Sequence, residues 1–459
     1  MKTKQKLFSA VVLVSFLLAS AISALAQLPA LYGNRTIRLT SKCGLLLPAI
    51  PPPTATDANC PTVPTIAQSP SARWSVDISW FDPVFQKFYL ADRNSYSVDV
   101  IDTIGETVVA RAPGFVGTNC TLNAAVPKVP DCTVGAAPAN SGGPNGVLTT
   151  HNPNQLWAGD GDGTVKVFSL DASGTPTALV KSVSAGGVRR ADEMAYDPDD
   201  NLVLVAWDDD ADLFVAFITV SSNPTVVGKI RIPEAAGCGI EQPVYDHNLK
   251  LFFLAIPCTS ATNGANLNNA IHADGEIAVI NPKTMAIQGI YDVDGTKCYP
   301  HGLALGPRDE LLLGCSGDAP AGSQMLSIIM SARDGTKIQA FTQAGGSDEV
   351  WYNPGDNRYY LAMSSWTSTG LTGGTSKPSL GIIDAGNGPG LASWIQNVPT
   401  TRTSHSVAAV YDCRNNNNSP VTRKCKPINN RVFLPLTVQT GTSTVAPDSG
   451  GIGVYGEIP

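Results

Sequence analysis

No Cys-x-x-Cys pair occurs in this chain, which argues against a cysteine metal cluster, although ten cysteines are present. Gly-x-Ser-x-Gly is also missing, and Ser404 beside His405 is mere adjacency, so a serine-hydrolase triad has no support. The acidic Asp160-Gly-Asp-Gly and Asp208-Asp-Asp-Ala-Asp segments lack the downstream Glu of an EF-hand and read as tight turns. Charge itself is scarce, at 15% of residues, with 31 basic against 38 acidic side chains. An acidic balance repels phosphate backbones and anionic lipid, so neither nucleic acid nor a membrane surface is an expected partner.

What is there begins with Met1 to Ala26, which reads as a secretory signal. Lys2, Lys4 and Lys6 precede an apolar core from Leu7 to Leu18, and Ala24-Leu-Ala stands before Gln27. Small and hydroxyl residues dilute that core and a cleavage motif ends it, which separates it from a membrane anchor. Loss of the signal takes the basic count from 31 to 28 against 38 acidic residues, and the formal charge from −7 to −10. The mature chain is expected to be a soluble monomer, secreted or periplasmic. In such a compartment an even number of cysteines implies disulfides.

Low charge with 43 Gly and 34 Pro fits many short strands joined by tight turns. Asp192-Glu-Met-Ala-Tyr-Asp-Pro returns, altered, as Glu241-Gln-Pro-Val-Tyr-Asp-His, His301-Gly-Leu-Ala-Leu-Gly-Pro and Asp348-Glu-Val-Trp-Tyr-Asn-Pro. A second apolar run follows each copy: Leu202 to Ala206, Leu251 to Ile256, Glu310 to Leu313, and Arg358 to Met363. A period of roughly fifty residues made of short strands predicts an all-β fold, a β-propeller of four-stranded antiparallel blades. Seven units start near Val76, Asn145, Asp192, Glu241, His301, Asp348 and His405. The propeller is expected over 76–459, preceded by residues 27–75. That leading stretch holds a candidate closing strand, Arg35-Thr-Ile-Arg-Leu-Thr, and a Pro-rich link from Pro48 to Pro70.

Phe88-Tyr-Leu-Ala-Asp-Arg-Asn-Ser-Tyr-Ser-Val-Asp-Val-Ile-Asp-Thr resembles the YVTN/NHL-type propellers, with weaker echoes in Leu156-Trp-Ala-Gly-Asp-Gly-Asp-Gly-Thr-Val-Lys-Val-Phe. That group is similar in fold to the SMP-30/lactonase and paraoxonase enzymes. The resemblance spans most residues from Val76 to Gly456 and implies architecture more than activity, since the group includes hydrolases, lyases and binding modules.

In an up-and-down blade, the start of strand one and the end of strand two lie at the same end of the barrel axis. Loops between blades and between strands two and three therefore share a face. Three insertions fall there: Gly114 to Gly143, Thr259 to Asp274, and Trp366 to Pro378. The cysteines follow the same geometry, pairing Cys238 with Cys258 and Cys298 with Cys315 as equivalent staples. Cys120 with Cys132 closes an insertion and Cys413 with Cys425 a hairpin, which leaves Cys43 for Cys60.

The first residues of the innermost strands then form a polar ring at that mouth: Asp77, Asn145, Asp192 or Glu193, Glu241, His301, Asp348 or Glu349, and His405. Converging carboxylates raise one another's proton affinity unless a cation or a hydrogen-bond network compensates. Asn145, Glu193, Glu241 and Asp348 are the candidate metal ligands, with Ca²⁺ or Mg²⁺ favoured and Zn²⁺ or Fe²⁺ the alternative if the histidines take part. His301 and His405 are the candidate proton-transfer groups. His151, His247 and His272 fall at turns or insertions and read as surface residues. Lactonases of the resembling group hold a cation at this place with acidic and Asn side chains, though their ligand pattern is not matched residue by residue. Two functions follow as expectations: a metal-dependent lactone or ester hydrolase, or a non-catalytic propeller that binds a small molecule or protein. In the second case the ring groups merely hydrogen-bond one another.

Overall fold

The computed structural model describes residues 32–38, 76–93, 96–117, 121–122, 130–131, 143–208, 212–235, 239–258, 275–293, 298–315, 322–400, 404–412, 426–436 and 451–457. Seven four-stranded antiparallel sheets account for nearly all of them. The innermost strands are Val76–Asp82, Pro144–His151, Ala191–Asp197, Pro243–Asp246, Pro300–Leu305, Val350–Asn353 and Ala408–Asp412, for blades one to seven in that order. Each touches the next around the axis, and the seventh touches the first, so the ring is closed. Blade seven takes its outermost strand from the other end of the chain: Tyr32–Arg38 pairs with Gly451–Glu457, in register from Tyr32 opposite Glu457 to Arg38 opposite Gly451. The closing strand thus starts three residues before the expected Arg35.

The repeat has a local cause in the turn after each innermost strand. Asp82, Asp197, Asp246 and Asn353 each turn a side-chain oxygen onto the backbone N–H two residues on, at 2.8 Å in every case. This is an Asx turn, and four residues after each of these positions the chain enters the left-handed region at Gln86, Asn201, Lys250 and Asn357 (φ 52 to 59°). The Asp-Pro-like signature is therefore the hydrogen-bonding code of one hairpin, repeated.

Packing explains why the second strands read as unbroken apolar runs. In Leu251–Ile256, Phe252, Leu254 and Ile256 pack toward blade three, while Phe253 and Ala255 pack toward blade five. Side chains alternate between the two faces of a strand, and in a propeller both faces meet a neighbouring blade. Seven apolar clusters result, one at each blade-to-blade interface.

Cys298 and Cys315 form the expected disulfide, tying the entry of blade five to the end of its second strand. Cys258 is also disulfide-bonded, and its expected partner Cys238 lies outside the described residues. So do Cys43, Cys60, Cys120, Cys132, Cys413 and Cys425, the proposed signal, the Pro-rich link and the 259–274 insertion. Among the described residues no helix is long and apolar enough to cross a membrane.

Candidate functional site: the polar mouth of the channel

A β-bulge at the start of the innermost strands builds the site. Asp77 and Ile78 together oppose one residue of the second strand, as do Asn145 with Gly146 and Asp192 with Glu193. The same pattern occurs where Glu241 donates to, and Gln242 accepts from, Ala255, and where Asp348 and Glu349 bracket Ala362. A bulge interrupts strict alternation and re-aims side chains, so successive residues both reach the mouth. The choice between Asp192 and Glu193, or Asp348 and Glu349, is thereby resolved: both members of each pair belong to the site, at two levels.

The upper level is a chain of contacts through six blades. Arg93 donates to Asn145 Oδ1 through Nε (3.0 Å) and Nη2 (2.7 Å) and pairs with Asp77. Asp77 Oδ1 lies 3.5 Å from His405 Nδ1, and His405 Nε2 lies 2.6 Å from Asp348 Oδ2. His301 Nδ1 then sits 3.3 Å from Asp348 Oδ1 and 3.4 Å from Glu241 Oε1. Blade three contributes Arg190, which holds Asp192 and reaches Asp208 at 3.0 Å.

The lower level closes the channel. Glu193 and Glu349 come from blades three and six, as far apart as a seven-blade ring allows, yet their carboxyls meet closely enough to share a proton. Deeper still, the rings of Trp80 and Trp351, from blades one and six, meet edge to face with centroids 5.3 Å apart. Gln242 crosses from blade four, accepting from Leu303 N (2.7 Å) and Val350 N (3.3 Å). Glycine lets the strands that carry these side chains come close together. A Cβ on Gly146 would stand 1.8 Å from the Asp192 carbonyl oxygen, so blades two and three approach there as no other residue permits. The mouth is a cup with a floor.

Protonation follows from this crowding. Burial, reinforced by the facing carboxyl, pushes Glu193 well above the usual carboxylate range. Burial likewise lifts Glu349 to about 8 and, against the pull of Arg190, Asp192 to about 7. Glu241 is raised by burial, with Asp208 and Asp348 adding to it while His301 opposes. Asp348 goes the other way: burial resists, but the two histidines hold it far below the ordinary value. His405 is pushed up to about 9, since Asp348 and Asp77 outweigh the burial that favours its neutral form. At neutral pH it is an imidazolium able to give a proton but already holding the one it would otherwise accept.

All six residues singled out as ligands or proton carriers therefore converge on the mouth. Among the described residues no group of three His, Cys, Asp or Glu side chains is placed to hold an ion. The Asn145 oxygen accepts from Arg93, both Asp348 oxygens face histidines, and Glu193 lies a level below. Among the described residues, Arg93, Arg190, His301 and His405 are the cationic groups that pair with these carboxylates. Arg93 and Asp208 were missed although a signal existed, since each directly follows a second strand and that position lies at the mouth. Arg190, one residue before its innermost strand, carries no such mark. His151 and His247 sit on the opposite face, half-exposed against Asp82 (3.1 Å) and Asp199 (2.7 Å); His272 lies outside the described residues.

Among the described residues, parts of two insertions pack at the rim. Val116 and Gly117 donate their N–H groups to Asp160, each at 2.9 Å, anchoring the first. Residues 366–378 fold onto blade five, where Thr372 N meets Ser323 O at 2.9 Å and Met325 N meets Gly370 O at 2.9 Å.

No family model matches this chain, and no curated protein matches it by sequence. Solved structures match its shape. A chain of the mitotic checkpoint complex aligns at TM-score 0.52 and 8% identity, over 88% of this chain and 96% of that one. U3-55K aligns at 0.53 and 9%, over 83% and 95%, and the WD40 repeats of RRP9 at 0.53 and 9%, over 83% and 94%. At such identities the likeness establishes the fold: this protein is a seven-bladed β-propeller.

Proposed function

We propose that this chain is an exported, non-catalytic binding propeller whose small-molecule ligand or protein partner docks at the decorated mouth. The observation that carries this reading is the cup itself: its floor is made by Glu193, Glu349 and the Trp80–Trp351 pair, and its walls are charged groups brought together from different blades. A preorganised polar wall suits recognition with little rearrangement. Structural neighbours that carry WD40 repeats or sit within a complex accord with a binding role. Export is supported by the leading lysines and apolar core and by the Cys298–Cys315 bond, which persists in oxidising compartments.

A lactone or ester hydrolase is the second reading, favoured by the single carboxylate of Asp348 bridging His301 and His405. One experiment separates them. Purified protein is screened for ligands by thermal shift and for lactone and ester turnover with and without chelator, and bound ligands are mapped by hydrogen exchange. Protection at residues 366–378 and the innermost strand starts, without turnover, is the expected result. Protection confined to the opposite face or the outer blade edges would defeat the binding reading, and turnover lost on Asp348→Asn would establish the other.

A further inference from the structure

We propose that the cup takes an organic cation, a protonated amine or guanidinium group, held by Glu193 and Glu349 at its floor with Asp192, Glu241 and Asp208 at its wall. The inference rests on the binding reading and names its ligand class.

Two observations support it independently. The first is the weight of acid: among the described residues, Asp77, Asp192, Glu193, Asp208, Glu241, Asp348 and Glu349 gather at the mouth with Arg93, Arg190, His301 and His405 as the cationic groups paired to them. The second is orphaned acceptors. Asp192 Oδ1 is buried with no hydrogen-bond partner, on a residue only 1% exposed, and Glu193 Oε2 and Glu349 Oε1, on residues 5% and 3% exposed, find no donor among the described residues beyond the proton that the two facing carboxyls share. A buried carboxylate oxygen without a donor costs more than almost any other buried polar atom, so such atoms at the base of an open cup mark where donors are missing. An ammonium brings three donors and a guanidinium five, together with the positive charge the cluster lacks. A neutral ligand would relieve the hydrogen bonds but leave the charge, and an anion would worsen it.

The raised proton affinities of the floor carboxyls fit the same account. Without a ligand, protons stand in for the absent cation; on binding, the cation replaces them. Cation binding is therefore accompanied by proton release.

The test is calorimetric titration of the full chain with putrescine, agmatine, the neutral isostere 1,4-butanediol, and Ca²⁺ alone, at pH 7 in two buffers of different ionisation enthalpy. Saturable binding of putrescine or agmatine, absence of binding by butanediol, and an observed enthalpy that depends on the buffer are expected. The Glu193→Gln/Glu349→Gln variant keeps size and hydrogen-bonding capacity; it should lose at least tenfold in amine affinity and most of the buffer dependence. The buffer dependence of the unaltered protein stands as evidence even if that variant folds poorly. Amines no better than butanediol, amine binding without proton release, or Ca²⁺ outcompeting both amines would each overturn the assignment. If a neutral or acidic compound from the ligand screen protects the mouth while amines do not bind, this inference fails and the binding reading stands. If nothing engages the mouth, both fail.

Discussion

His405 Nε2 lies 2.6 Å from Asp348 Oδ2, and this contact clasps the inner start of blade seven to blade six. The imidazole is raised to about 9 by that carboxylate and by Asp77, against the effect of burial. A folded-state value above the ordinary 6.5 means a contribution fully present below 6.5 and lost as pH climbs through 9. Glu349, raised by burial to about 8, acts in the same direction between 4.5 and 8. The melting temperature should therefore fall from pH 6.5 to 9, and fall less steeply in Asp348→Asn, which removes the counter-charge. Because the His405 side chain is 39% exposed, channel water screens the pair and the effect is modest. Imidazole NMR titration checks the cause: a His405 midpoint at or below 6.5 in the unaltered protein would refute it.

Gly146 and Gly289 offer a matched comparison. A methyl at Gly146 would collide with the Asp192 carbonyl, a backbone atom that cannot step aside, whereas at Gly289 the nearest atom is 3.9 Å away. Gly146→Ala should cost about 3 kcal/mol or more, by overpacking. Gly289→Ala should stay within about 0.5 kcal/mol of the parent. Urea unfolding midpoints decide, and equal effects would show that blades two and three are not so closely apposed.

The Cys298–Cys315 bridge closes a loop with a sequence separation of 17. Replacing both cysteines by serine should lower stability by about 3 kcal/mol through the freed unfolded chain. Guanidinium denaturation under non-reducing conditions measures this. A loss below about 1 kcal/mol would mean that the surrounding apolar contacts of blades four and five hold the entry loop without the bridge.

Removal of residues 32–38 leaves Gly451–Glu457 as an open edge on blade seven. Unpaired edges recruit other chains, so the shortened protein should melt earlier and scatter light in a concentration-dependent way. Unchanged melting would indicate that the outer strand adds nothing to ring closure.

Much of the architecture was legible because its causes are local. The Asx turn needs Asp or Asn at one position and tolerates a left-handed residue four later, so Asp82, Asp197, Asp246 and Asn353 advertise their hairpins in the sequence itself. Apolar runs such as Leu251–Ile256 are readable for the same reason, since burial on both strand faces demands them. The strand starts that line the mouth were also found, because blade topology places them there.

What could not be read was how those side chains meet. The pairing of Glu193 with Glu349 links residues from opposite blades, and the capture of Asn145 by Arg93 joins adjacent ones. Neither contact leaves a spacing pattern, as each depends on ring diameter, bulge geometry and the gaps left by Gly146 and Gly302. Hairpins and blades thus follow from short-range hydrogen bonding and alternation along the chain. Which partners seven acidic groups take is settled only when distant charges are brought within a few ångströms, where Coulomb energy and desolvation choose the pairs.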